Sequence, residues 1–244
     1  MKYQETYYPE SKFGGFSDID GTIAFYTRIH SLLEGSHTLL DIGCGRGAHI
    51  IEDQVRYRKS LRIFKGKCKK VIGIDVDPLA QSNPFLDEFL LIEREEWPID
   101  DGSVDLALCD WVLEHLEEPE LFFSEAARIL KPGGYFCIRT ANKNSYVVLL
   151  SKMIPDCYHS SILTKVQTTR KEDDIFPTLY KVNTTKVIRH YLNKYGFDNY
   201  VYNYEAEPSY LSFSRFAYWL GVLHQKYAPR FLKLAIFAFG KKQH

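Results

Sequence analysis

At 244 residues with 45% hydrophobic side chains, the chain is long enough to bury a substantial core and short enough for one decorated domain. Lys plus Arg equal Asp plus Glu at 31 each, so there is no global field of either sign and bulk nucleic-acid binding is not expected. The five cysteines, Cys44, Cys68, Cys109, Cys137 and Cys157, form no C-x-x-C pair, and two lie inside apolar runs. They argue for reduced thiols in a cytoplasmic protein and against a disulfide framework or a metal site.

In chain order, residues 1–35 read as an N-terminal arm and a cap helix. Tyr3, Tyr7, Tyr8, Phe13 and Phe16, with the flexible pair Gly14-Gly15, suit either a segment folding over a pocket or a packed arm. The stretch is polar and aromatic, unlike a signal peptide. Thr22 to Leu33 is a predicted helix with Ile23, Tyr26, Ile29, His30 and Leu33 on one face. Thr38 to Ile42 is a short apolar strand that breaks into Gly43-Cys44-Gly45-Arg46-Gly47. These glycines admit positive φ and close approach of a ligand to the backbone, and with Ala48 they also fit, loosely, a dinucleotide fingerprint. Asp41 separates the two readings. A carboxylate at the mouth of the turn repels a pyrophosphate, since like charges about 4 Å apart cost on the order of several kcal/mol at a protein surface, and it attracts a cation.

Ala48 opens a helical stretch, and a basic block follows from Arg56 to Lys70 with no acid inside it. It reads as a solvated face, or as a docking surface for an anionic acceptor or phospholipid headgroups. Val71 to Asp75 is a buried strand ending in an acid, and one ionised carboxylate accepts the two hydroxyl hydrogen bonds that a ribose offers. Phe89 to Ile92 is a third strand and Val104 to Cys109 a fourth, ending at Asp110-Trp111. Leu121 to Leu130 is an amphipathic helix, Lys131-Pro132-Gly133-Gly134 a helix stop and turn, and Tyr135 to Arg139 a fifth strand.

Three features together carry a resemblance: the acid followed by Gly-x-Gly at Asp41 to Gly45, the run Asp110-x-x-Leu-Glu-His-Leu116, and Leu-Lys-Pro-Gly-Gly-Tyr-Phe ending at Phe136. Over Thr38 to Thr140 the chain resembles the class I S-adenosylmethionine-dependent methyltransferases. The resemblance implies an α/β fold with a doubly wound, mostly parallel seven-stranded sheet in Rossmann-like order 3-2-1-4-5-7-6, and S-adenosylmethionine as cofactor. Carried over residue by residue, it implies cofactor contacts from Asp41, Gly43, Cys44, Gly45, Asp75 and Val76. Glu93 and Arg94 would meet the adenine edge, though the family more often has Asp at the position of Glu93. Asp110 and Trp111 would border the sulfonium, and Arg28 or Tyr26 the methionine carboxylate. His115, one turn further on, is a candidate general base or a packing histidine. No metal-ligand cluster is visible.

Beyond Thr140, residues 36–244 continue as the same domain, with an acceptor-side segment 141–180 that includes a helix from Asn142 to Ile154. Tyr158, His159 and Arg170 are its candidate contacts. Thr184 to Tyr195 is a helix and Phe197 to Tyr204 a sixth strand. An inserted helix, 208–228, interleaves aromatics with Arg215, His224 and Lys226, and Leu232 to Phe239 is the last strand. Residues 208–240 carry too many charges to span a bilayer. Their aromatics read as core, as a peripheral contact at the inner face of a membrane, or as a dimer contact. The expected acceptor is a small or lipid-linked metabolite, such as a surface-glycan intermediate. A nicotinamide-dependent oxidoreductase and a non-catalytic cofactor-binding platform are the competing readings.

Overall fold

The computed structural model describes residues 3–153 and 177–244. The candidate lid residues Tyr158, His159 and Arg170 lie outside these. A one-turn helix at Gln4–Tyr7 leads to helix α1 (Gly21–His30), whose start is fixed by Asp20: its carboxylate accepts hydrogen bonds from the backbone amides of Thr22 and Ile23, both at 2.9 Å. Strand β1 (Thr38–Ile42) follows, then short helices α2 (Ala48–Ile51) and α3 (Arg56–Arg62), strand β2 (Lys70–Asp75), strand β3 (Glu88–Leu91) and strand β4 (Val104–Asp110). Helix α4 (Pro119–Ile129) runs directly into strand β5 (Leu130–Ala141). Helices α5 (Tyr146–Met153) and α6 (Thr185–Lys194), strand β6 (Phe197–Tyr204), helix α7 (Arg215–Tyr227) and strand β7 (Ala235–Lys242) complete the order.

The strands form one sheet in the order β3-β2-β1-β4-β5-β7-β6, as expected. β1 to β5 pair in parallel, whereas β7 runs antiparallel between β5 and β6. The strand period of two divides the core. Leu40, Ile42, Ile72 and Ile74 face Phe122, Phe123, Ile129, Ile188 and Leu192 on one side, and Leu39, Val71, Leu106 and Leu108 face Phe25, Tyr26, Ile29 and Phe64 on the other. Helix α1 thus packs Phe25, Tyr26 and Ile29 into the core.

One expected turn is absent. Residues 131–134 are the first part of β5, not a separate stop, and a register shift against β4 between Val104 and Leu106 absorbs them. A Cβ on Gly134 would lie 2.9 Å from the Lys131 carbonyl and 3.1 Å from that of Asp105, so the glycine serves a close approach between strands. The basic block is also less free than its composition suggests. Arg58 pairs with Asp20 at 2.8 Å and Asp53 at 2.7 Å, Lys70 with Glu88 at 2.6 Å, and Arg62 donates to the His49 carbonyl at 2.7 Å. These residues hold α3 against α1 and the sheet edge.

Candidate active site

Parallel pairing brings the carboxyl ends of β1, β2 and β4 to one edge, with β1 between the other two. The chain order reverses there, which is where open α/β sheets bind ligands. Gly43, Gly45 and Gly47 all adopt positive φ. At Gly43 the need is strict, since a Cβ would sit 2.4 Å from Val112 Cγ2. The turn is clamped on both sides. The Gly43 amide donates to the Ile74 carbonyl at 2.8 Å, the Gly45 amide to Asp75 Oδ2 at 2.8 Å, and Asn83 Nδ2 to the carbonyls of Cys44 and Gly45 at 3.1 and 3.0 Å.

Three carboxylates converge on this edge, and their environments differ. Asp75 also accepts from the Asp77 amide at 2.9 Å, so each of its oxygens holds one backbone amide and keeps a lone pair for a hydroxyl. Asp110 is bound by Arg139 through two hydrogen bonds of 2.6 Å each, and the Tyr26 hydroxyl donates to its Oδ2 at 2.9 Å. Burial alone would raise the Asp110 pKa, but the guanidinium holds it below the usual carboxylate range. Asp41, half-buried between them, has no protein cation paired with it among the described residues. Burial first, and then the charges of Asp110 and Asp75, push its pKa up to about 8. The edge thus holds one acid without a protein counter-charge among the described residues, whose ionised form a bound cation would stabilise.

Trp111 closes the side nearer β5. Its φ of 60° is a strained conformation for a bulky residue, held by its amide donating to the Arg139 carbonyl at 2.9 Å. The Arg139 guanidinium lies 5.5 Å from the indole ring and 5.2 and 5.6 Å from the rings of Phe25 and Tyr26.

A family model described as a methyltransferase domain matches residues 40–138, the span from β1 through most of β5. Over this span the chain is similar to methyltransferase domains, S-adenosylmethionine-dependent ones among them. A probable S-adenosylmethionine-dependent methyltransferase of Mycolicibacterium smegmatis is 32% identical over 115 residues, covering 44% of this chain and 39% of that protein. A ubiquinone biosynthesis O-methyltransferase of Cupriavidus pinatubonensis is 29% identical over 117 residues, covering 46% of this chain and 45% of its own. The chain thus spans less than half the length of these curated relatives. Among solved structures, a SAM-dependent methyltransferase from Archaeoglobus fulgidus aligns over 96% of this chain and 97% of its own with a TM-score of 0.55 at 19% identity. A geranyl diphosphate C-methyltransferase from Streptomyces coelicolor covers 91% and 78% with a TM-score of 0.56 at 12% identity. The two structural likenesses concern the fold.

Within the matched span, the structure brings Asp41, Gly43, Cys44, Gly45, Asp75, Val76, Asp110 and Trp111 to one edge. Val76 is 59% exposed, an apolar side chain held open beside Asp75. The Ile92 amide donates to the Asp75 carbonyl at 2.9 Å, which sets exposed Glu93 and Arg94 at the far wall. Cys44 is buried, so only its backbone is available to a ligand. The Asp110 carboxylate is taken up by Arg139 and Tyr26. Arg28 is exposed on α1, whereas Tyr26 faces inward. His115 sits beyond Trp111, where its Nδ1–H donates to the Pro177 carbonyl at 2.9 Å. This bond assigns the neutral ring as the Nδ1–H tautomer and puts the basic lone pair on Nε2. Sequence reasoning alone misses Arg139 and Asn83. A lone arginine ending the apolar run Tyr-Phe-Cys-Ile is the available signal for the first; Asn83 carries none.

Proposed function

We propose that the protein transfers a methyl group from S-adenosylmethionine to a small-molecule acceptor. The observation that carries this is Asp41, an uncompensated acid between two committed ones at the head of the glycine turn. Bound there, S-adenosylmethionine supplies an electrophilic methyl on a sulfonium, displaced in line by the acceptor's nucleophilic atom. The protein's own residues position and shield. Asp75 accepts hydrogen bonds from the ribose hydroxyls, Val76 and the Glu93-Arg94 wall flank the adenine, and Asp41 takes the amino group of the methionine portion. Arg139 acts electrostatically, because the sulfonium loses its charge during transfer and unpaired anions beside it would favour the reactant over the transition state. Neutralising Asp110 limits that cost. Trp111 and the glycine turn exclude water, and positioning of this kind removes several kcal/mol from a barrier. His115 Nε2 would accept the acceptor's proton where the acceptor must lose one.

Relatives named as ubiquinone biosynthesis O-methyltransferases favour a small acceptor. The finer reading is a lipid-linked acceptor, such as a surface-glycan intermediate, met in the cytoplasm at the inner face of a membrane. It is supported by Phe213, Phe216, Trp219, Tyr227 and Phe231, all exposed around α7, and by Arg215, Lys226 and Arg230 among them. No helix among the described residues is long and apolar enough to cross a membrane, so such contact would be peripheral. Titrating the protein with S-adenosylhomocysteine and with NAD tests the core reading. Saturable binding of the first and none of the second is expected, and the reverse order would replace methyl transfer with a dinucleotide function.

A further inference from the structure

His115 stands on a single 3₁₀ turn, Leu113–His115, just past β4 and Trp111. The turn has few backbone bonds of its own: the His115 amide donates to the Val112 carbonyl at 2.9 Å and the Leu116 amide to that of Leu113 at 3.4 Å. Its neighbours therefore decide where the ring sits. Residues 177–183 cross the turn as a strap. The Leu179 and Tyr180 amides both donate to the Glu114 carbonyl, at 2.7 and 3.1 Å, and Lys181 Nζ donates to that of Glu117 at 2.6 Å. Tyr180 holds a φ of 50°, unusual for a residue with a side chain. The strap ends where Val182 enters the core and Asn183 reaches the end of β5.

One buried hydroxyl holds both pieces. Thr140 Oγ1 donates to Glu114 Oε2 at 2.8 Å and accepts from Asn183 Nδ2 at 2.7 Å. Asn183 Nδ2 also donates to the Ala141 carbonyl at 3.0 Å, and the Asn183 carbonyl accepts from the Lys143 amide at 3.1 Å. Glu114, Thr140 and Asn183 are all buried. An acid at so buried a position costs more than an apolar side chain of its size, and what it adds here is a directed acceptor at the end of β5. Burial raises the Glu114 pKa, and its own amide, the Thr140 hydroxyl and His115 oppose that rise.

We infer that Glu114 is a positioning residue for His115: through Thr140 and Asn183 it fixes the turn and the strap relative to each other, so that the Pro177 carbonyl meets His115 Nδ1 and Nε2 is the basic nitrogen. Pro177 lies two residues before Leu179, the first of the amides that Glu114 holds, and its carbonyl is 2.9 Å from Nδ1. The hydrogen bond made by one ring nitrogen decides which of the two carries the proton. Without the Pro177 carbonyl, a neutral histidine ring in water favours the proton on Nε2, which would take the lone pair from the nitrogen assigned to the acceptor. The inference rests on the proposed function for the use of His115 as a base, but not for its orientation.

Nitrogen NMR of the histidine rings in the full chain, at a pH where they are neutral and with His115 assigned by comparison with His115→Asn, tests this. The parent should hold His115 mainly as the Nδ1–H tautomer. Glu114→Gln should keep it, because the amide oxygen accepts from Thr140 as the carboxylate does, whereas Glu114→Ala and Thr140→Val should shift His115 mainly to Nε2–H. S-adenosylhomocysteine affinity should stay within about twofold in all three, since these side chains touch nothing on the cofactor side. A larger fall would mark a general loss of structure and count against the inference. A parent ring protonated on Nε2 would overturn it, as would Glu114→Ala and Thr140→Val keeping the parent's tautomer. So would Glu114→Gln behaving as Glu114→Ala, since charge and not position would then be at work. Should Glu114→Ala fail to fold, Thr140→Val and Asn183→Ala carry the same comparison. Failure of the parent to bind S-adenosylhomocysteine at all would instead strike the methyltransferase reading, while the tautomer still decides the positioning.

Discussion

The two halves of the cleft are built differently. At the ends of β1, β2 and β4, almost every polar group is engaged: Asp75 holds two amides, Asn83 holds two carbonyls, and Asp110 holds Arg139. Past β5, β7 and β6, the buried hydroxyls of Tyr8, Tyr146 and Tyr218 have no hydrogen-bond partner among the described residues, and aromatic side chains around α7 stand in solvent. A cofactor site binds one fixed molecule, so its geometry is preorganised by the backbone. An acceptor site completes its hydrogen bonds only with its ligand, and it retains the cost of unpaired groups until then.

Breaking the Arg139–Asp110 pair should have the largest effect, because both partners are buried. Arg139→Met leaves an uncompensated carboxylate and should cost roughly 3–5 kcal/mol of stability, while the double variant with Asp110→Asn should recover much of it. Denaturant unfolding of the four proteins checks this. Gly43→Ala comes next. It must hold φ +68° against Val112, and it should cost about 2–3 kcal/mol and weaken S-adenosylhomocysteine binding in the same titration. Equal effects of these two changes on stability and on cofactor affinity would blur the contrast between a framed half and an open half.

The smaller effects sharpen it. Asp41→Asn should fold normally and lose tenfold or more in cofactor affinity. Because the folded Asp41 binds its proton more tightly than an unfolded aspartate, its contribution to stability is fully present at low pH and falls as pH rises from about 4 to about 8. The Asn variant should lose that part of the decline in a melting-temperature series. His115→Asn tests the open half: single-turnover methyl transfer should fall more than tenfold if Nε2 is the base, and a smaller loss would remove it from the chemistry. Trp219→Ser, 41% exposed in the parent, should leave stability within about 0.5 kcal/mol and reduce sedimentation with anionic vesicles.

The same contrast explains what is legible in the sequence. Asp41, the glycine turn and Asp75 each sit where an apolar strand stops, so a few adjacent residues announce both the element and its chemistry. The sheet order follows from the same stretches. Helix stops and strand starts are less distinct: Lys131 to Gly134 has turn composition, but pairing with β4 draws it into β5. Arg139 escapes notice because its partner is 29 residues away, on another strand. The Gln4–Glu207 pair joins residues 203 apart, and nothing local to either residue marks it.

The proposed function has Asp41 give up its proton to hold a cation of the cofactor. Calorimetric titration with S-adenosylhomocysteine at pH 7 in two buffers of different ionisation enthalpy measures the protons released on binding. Close to one proton released by the parent and none by Asp41→Asn is the predicted result. Binding with no proton release in the parent, or the same release in both proteins, would contradict it.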